Sequence, residues 1–182
     1  YISNPTELGT IYKKAELMDI KKACEECGFY LFLDGARLGY GLASWENDMT
    51  IEDVAKYTDV FYIGGTKVGA LFGEAVVITN PALKEDFRYI IKQKGGMLAK
   101  GRLLGIQFIG LFENGLYEEV GRHAIRLADK LRAAIREIGI SFYNENTTNQ
   151  IFIILEDSKI KTLSDEFALG YTERVDENHS VM

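Results

Sequence analysis

Two side chains have the types and the setting to do chemistry together: Lys67 and Asp34. Lys67 stands just past the apolar run Val60–Ile63, which stops at Gly64 and Gly65. Such a run reads as a buried strand. In an open α/β sheet, ligands bind in the crevice beyond the carboxyl ends of the strands. Apolar neighbours there would desolvate a lysine, lower its pKa and free its amine to attack a carbonyl. A solvated lysine in a Gly-rich turn has the same local sequence. Asp34 repeats the grammar, as the first charge after Leu31, Phe32 and Leu33. A carboxylate at that place could hold a heterocyclic nitrogen protonated.

The two groups together match what pyridoxal phosphate requires of a protein. That cofactor needs a lysine for its Schiff base and an acidic partner for its pyridinium nitrogen. The strand ends that carry Asp34 and Lys67 would then be neighbours in one sheet.

The stretches LDGARLGYGLA and YIGGTKVGALFGEAVVI resemble the threonine aldolase and β-eliminating lyase family of pyridoxal phosphate enzymes, which have the aspartate-aminotransferase type of fold. YISNPTELGTIYKKAEL and KGGMLAKGRLLGIQF are similar to the same family. The resemblance implies that Lys67 is the Schiff-base lysine and Asp34 the partner of the pyridine nitrogen. It places Arg37 close to the cofactor or the substrate carboxylate, and it brings Thr6 and Thr66 to the cofactor's edge. It further implies a lyase that cleaves threonine or allo-threonine to glycine and an aldehyde. β-Elimination from another amino acid uses the same lysine and aspartate and stays open, as does a non-catalytic half that binds a partner chain.

The family's large domain begins upstream of Tyr1, with a Gly-rich turn for the phosphate and an aromatic or histidine that stacks on the ring. An arginine that grips the substrate carboxylate follows close behind the last matched residues. On this resemblance the chain is expected to be a piece of a longer protein that forms a homodimer or homotetramer, and to be inactive alone.

The elements that position these residues follow from patterning. Tyr1–Ser3 is a short strand whose loop, SNPTELGT, reaches the crevice edge. Lys14–Cys27 is an amphipathic helix stopped by Gly28. Leu17, Ile20, Cys24 and Cys27 form its apolar stripe, so both cysteines are expected in the core. Gly35, Gly39 and Gly41 lack the spacing of a nucleotide-binding fingerprint, and they are expected to let backbone pass close under a ligand. A helix over Thr50–Tyr57 has Thr50 as N-cap and Asp53 completing a capping box. The strand Glu74–Thr79 follows Lys67 too closely for a helical crossover, so it should pair antiparallel.

A helix is expected over Ala82–Lys92. Lys92 to Gly96 reads as a solvated basic turn. In Gly101–Phe112, Gly101 and Gly105 leave a face suited to a dimer seam or a tight internal crossing. Asn114-Gly115 breaks the chain before a long amphipathic helix, Leu116–Ile138, whose charges, with Arg122, His123 and Arg126, solvate one face. Strands are expected at Ile140–Tyr143 and Gln150–Leu155 around a polar loop, then a helix over Ile160–Ala168 and a strand from Tyr171 to Arg174. The whole is α/β: a mostly parallel, incomplete large domain over residues 1–115, then the connecting helix and a small α+β domain over 116–182.

The 182 residues carry a net charge of −6, with 47% apolar and 26% charged residues. A chain of this size can bury roughly 70% of its unfolded surface, so a core forms without staples. The acidic balance argues against nucleic acid, which favours basic surfaces. No apolar run reaches the ~18 residues of a membrane span. With two cysteines in all and no second ligand pair beside them, no metal is expected. The cysteine usage fits a reducing, cytoplasmic setting.

Overall fold

The computed structural model describes residues 1–182. Its first sheet has the order β1 (Ile2–Ser3), β2 (Phe32–Asp34), β3 (Val60–Gly64) and β4 (Glu74–Ile78). The first three strands run parallel, with Ser3 beside Asp34 and Leu33 beside Phe61. β4 is antiparallel to β3 over five residue pairs, from Val60 with Ile78 to Gly64 with Glu74. The short β3–β4 connection leaves no other choice.

Side-chain alternation gives this sheet two different faces. Leu31, Leu33, Phe61 and Ile63 enter the main core with Leu17 of α1 (Lys14–Glu26) and Val54 of α3 (Ile51–Tyr57). The other face carries a row of rings: Tyr1 stacks on Phe32 at 5.8 Å between centroids, and Phe32 meets Tyr62 at 6.1 Å.

Local signals account for most of the helices. The Lys13 amide donates to Glu16 Oε2 at 2.7 Å, closing the first turn of α1. Thr50 Oγ1 accepts the Asp53 amide at 3.3 Å, and Asp53 Oδ2 accepts the Thr50 amide at 3.1 Å. That is the expected capping box. Cys24 packs against the core, but Cys27 is exposed, contrary to the stripe argument. It falls at the C-cap, where the chain leaves the helix for Gly28. The helix expected over Ala82–Lys92 is interrupted. A 3₁₀ turn, Pro81–Leu83, precedes α4 (Phe87–Gln93), and Asp86 between them has φ 54°. Lys84, Glu85 and Asp86 are all exposed, so no apolar stripe holds that segment helical.

Beyond the first sheet come α5 (Arg102–Phe112) and α6 (Leu116–Glu137), separated at Asn114 and Gly115, both left-handed. Leu111, Tyr117 and Ile125 bind these helices into the same core as α1 and α3. α2 (Leu38–Ala43) lies between the first sheet and α6. The chain ends in a second, antiparallel sheet: β5 (Ile154–Glu156), β7 (His179–Val181) and β6 (Glu173–Arg174), with α7 (Asp157–Leu163) beside it. The strands expected at Ile140–Tyr143 and Gln150–Leu155 shrink to the bridge Phe142–Ile153 and to β5. The loop between them folds back onto the segment after β1, bonding the Leu8 and Gly9 carbonyls. No helix is long and apolar enough to cross a membrane.

Candidate active site

β2 delivers Asp34 and β3 delivers the turn that holds Lys67. The two strand ends touch. The Gly64 amide donates to the Gly35 carbonyl at 2.9 Å. A Cβ on Gly35 would lie 2.0 Å from the Tyr62 carbonyl oxygen, and one on Gly64 would lie 2.2 Å from that of Ala36. Only glycine lets the two backbones approach so closely. The expectation that Gly35, Gly39 and Gly41 pass under a ligand is therefore corrected. Their close neighbours are protein: Tyr62, Tyr117 with Val68, and Pro5.

Asp34 is partly buried and richly supplied with donors. Tyr62 Oη and the Ala36 amide both donate to Oδ1, the amide at 3.0 Å. Tyr1 Oη donates to Oδ2 at 2.5 Å. Burial alone would raise the Asp34 pKa. The two hydroxyls, the Ala36 amide and the positive charge of Lys67 outweigh it and hold the carboxyl below its ordinary value. An ionised carboxylate has about four acceptor lobes. Three are taken, so one remains on Oδ2. That open lobe on an ionised group suits a ring N–H, and the residues present fit pyridoxal phosphate at this end of the sheet.

Lys67 is exposed, as is Thr66. Desolvation of the lysine by apolar neighbours is thus not found. The apolar neighbour Val68 turns inward to full burial, while Lys67 stays exposed, close enough for its charge to act on Asp34. Its turn is nevertheless firmly held. Tyr40 Oη donates to the Lys67 carbonyl. Glu74 Oε2 accepts the Gly65 amide at 2.7 Å. Tyr117 Oη donates to the Gly64 carbonyl at 3.0 Å and accepts the Gly39 amide at 3.0 Å. Gln107 of α5 accepts the Leu71 amide at 2.7 Å and donates to the Phe72 carbonyl at 3.1 Å.

Arg37 sits at the head of α2 and reaches Glu7 Oε2 at 3.4 Å, which ties DGAR to the loop after β1. In that loop Thr6 Oγ1 lies 2.6 Å from Thr10 Oγ1, so its hydroxyl is spent on the loop itself. Thr66 Oγ1 makes a long 3.5 Å contact with the Gly73 carbonyl. His123 meets only Arg126, on the exposed side of α6. Gly95 and Gly96 lie in an exposed turn away from these strand ends. Sequence reasoning missed Tyr1, Tyr40, Tyr62, Tyr117 and Gln107. Tyr62 had a usable signal, since alternation along β3 puts it on the side of Asp34.

Comparison with known proteins gives the family and the fold. The family model for beta-eliminating lyase matches residues 1–158. A low specificity L-threonine aldolase of Pseudomonas aeruginosa is 32% identical over 163 residues, covering 89% of this chain and 47% of that protein. Another from a Pseudomonas species is 31% identical over 172 residues, covering 94% and 50%. The chain spans about half the length of these curated relatives. The solved structure of a Leishmania major threonine aldolase superposes with a TM-score of 0.96 at 47% identity, over 100% of this chain and 53% of that one. An aspartate aminotransferase of Thermus thermophilus, at 17% identity and a TM-score of 0.63 over 87% of this chain and 42% of that one, shares the fold alone. By sequence and by fold, the chain belongs to the beta-eliminating lyase family.

Proposed function

We propose that the protein carrying these residues is a pyridoxal-phosphate-dependent carbon–carbon lyase that cleaves a small β-hydroxy amino acid, threonine or allo-threonine, to glycine and an aldehyde. The observation that carries this reading is the pairing, at touching strand ends, of a carboxylate with one open lobe and an exposed lysine whose charge acts on it. The names of the relatives support the choice of substrate. Residues 1–115 would be part of the cofactor-binding domain, and 116–182 the connecting helix with the small domain.

Lys67 Nζ and Asp34 Oδ2 would hold the cofactor, with Arg37, Thr6 and Thr66 at its edge. When bound, the cofactor supplies a sink for the electron pair left when a bond to the substrate α-carbon breaks. Asp34 keeps a proton at the ring nitrogen, because its carboxyl stays ionised. Arg37 offers a planar guanidinium, suited to a substrate carboxylate. In the present arrangement Glu7 occupies one edge of it. Lys67 Nζ, at an open crevice, can exchange protons with a substrate atom and with water.

Borohydride reduction in the presence of pyridoxal phosphate, followed by peptide mapping, tests the assignment. The label is expected on Lys67, and a pyridoxyl group on Lys92 or Lys100 would overturn it. Product analysis tests the bond. Acetaldehyde and glycine are expected from threonine. Ammonia and a keto acid from cysteine or tryptophan would move the reading to β-elimination.

A further inference from the structure

Tyr62 is not among the groups that the chemistry above uses, yet it is the donor placed best to govern one of them. It lies on β3, one register step past the Leu33–Phe61 pair, which sets it beside Asp34. Its hydroxyl donates to Asp34 Oδ1, the oxygen that also takes the Ala36 amide. Oδ1 is therefore filled by two donors from the protein. Oδ2 takes only Tyr1. The two tyrosines differ in what a ligand would do to them. Tyr1 shares the oxygen that a ring N–H must use, and the residue is 76% exposed. Tyr62 binds the opposite oxygen and has no reason to yield.

We propose that Tyr62 is a positioning residue for the cofactor: its hydroxyl pins Asp34 Oδ1, fixes the carboxylate rotamer, and presents ionised Oδ2 to the pyridine nitrogen. This rests on the reading of Asp34 as that nitrogen's partner. The groups facing the pair are Tyr1 just before β1, Lys67 beyond β3 and Glu74 from β4. Burial, then the bond to Asp34 and its charge, push the Tyr62 phenol above the usual tyrosine range. The hydroxyl therefore remains a donor across the neutral range, where Asp34 is ionised.

The test uses the protein without and with pyridoxal phosphate. Carbon-13 NMR of the Asp34 carboxyl, followed through acid pH without cofactor, reads the pinning directly. In Tyr62→Phe the titration should move up toward the ordinary carboxylate value. Equilibrium dialysis should show pyridoxal phosphate bound about tenfold more weakly, as expected when a charged acceptor loses a donor. Tyr1→Phe should leave cofactor affinity equal or higher. An Asp34 titration unchanged in Tyr62→Phe, or a cofactor affinity unchanged there, overturns the proposal. Should Tyr62→Phe fail to fold, Asp34→Asn reads the same contact from the other side. The Tyr62 phenol should then ionise at lower pH than in the unaltered protein, and an unaltered ionisation overturns the proposal. Unweakened pyridoxal phosphate binding by Asp34→Asn would instead count against the cofactor role of Asp34, a failure separable from loss of the Tyr62 contact.

Discussion

At the scale of single residues, Asp34 and Asp59 are both carboxylates held ionised, and they serve different ends. Asp34→Asn keeps the shape and can still accept Tyr62 Oη and the Ala36 amide at one oxygen. Stability should change by less than about 1 kcal/mol, the worth of an ordinary hydrogen bond. Turnover in the active protein should fall on the order of 10²-fold or more, as for loss of a group that holds a proton in the reaction. Turnover and unfolding midpoint measured together decide it, and a lowered midpoint with intact turnover would make Asp34 structural. Asp59 is the structural counterpart. Burial would raise its pKa, but Lys21 at 2.7 Å, the Leu31 amide at 2.7 Å and Asn80 Nδ2 at 2.8 Å outweigh it and hold it low. A carboxyl depressed by folding adds stability above its unfolded value of about 3.9, and that stability is lost as pH falls through the lower folded value. Urea midpoints taken from neutral to acid pH should therefore fall less steeply in Asp59→Asn than in the parent. The sequence announced Asp34 and Lys67 because charges at the ends of apolar runs stand out. It did not announce the exposure of Lys67, because the neighbours of an inward residue alternate in direction.

At the scale of elements, periodicity and capping made α1, α3, α6 and the antiparallel β4 legible before any coordinates. Contacts made by single side chains between distant elements were not. Tyr117 belongs to the apolar stripe of α6, but nothing in a 3.6-residue period says that its hydroxyl spans Gly39 and Gly64. Tyr117→Phe keeps the ring and strands a buried amide and a buried carbonyl. It should destabilise the fold by about 2 kcal/mol, and the Gly39 amide should exchange with solvent faster. Exchange as slow as in the parent would mean that water replaces the hydroxyl at no loss. α5 poses the opposite case. Gly105 meets nothing within 4 Å and Gly101 only the nearby Leu98 carbonyl oxygen, so the tight internal crossing that the sequence allowed does not form there. Leu103, Ile106 and Ile109 stand exposed on a helix without a charge between Leu103 and Phe112. Of the two expectations for this helix, the dimer seam is the one that an exposed apolar row suits. Ile106→Arg should reduce the sedimenting mass, and an unchanged mass would place the contact elsewhere.

At the scale of the whole molecule, the segment leading into the second sheet is fastened to the loop after β1 and to the end of α2 by residues whose composition suggested solvent. NENTTN has the look of a polar loop, yet Asn146, Thr147 and Thr148 are buried. Asn144 and Asn146 donate to the Leu8 carbonyl at 2.8 and 3.2 Å, Thr148 Oγ1 to that of Gly9 at 2.9 Å, and Ser44 Oγ lies 2.5 Å from Thr147 Oγ1. Burial through hydrogen bonds to backbone leaves no hydrophobic period to detect. Arg132 closes this clasp. It is 5% exposed, an exception to the solvated charges of α6. Its guanidinium donates to Asp129 Oδ1 at 2.9 Å, to Asn146 Oδ1 at 3.1 Å and to the Thr148 carbonyl. Because the clasp ends on Leu8 and Gly9, it also steadies the loop that carries Thr6 and Glu7. Arg132→Met fills the space and removes every one of these bonds. Breaking a buried, hydrogen-bonded charge site of this kind costs about 3 kcal/mol. The loss should be local in its pattern: amides of residues 144–150 and 7–10 should exchange faster together, while those of β3 stay protected. Arg132→Lys should not restore them, since an ammonium cannot present the planar fork that meets Asp129 with one nitrogen and Asn146 and Thr148 with the other. Uniform acceleration across both sheets would show instead that the molecule opens as one unit and that the clasp is only one more part of its core.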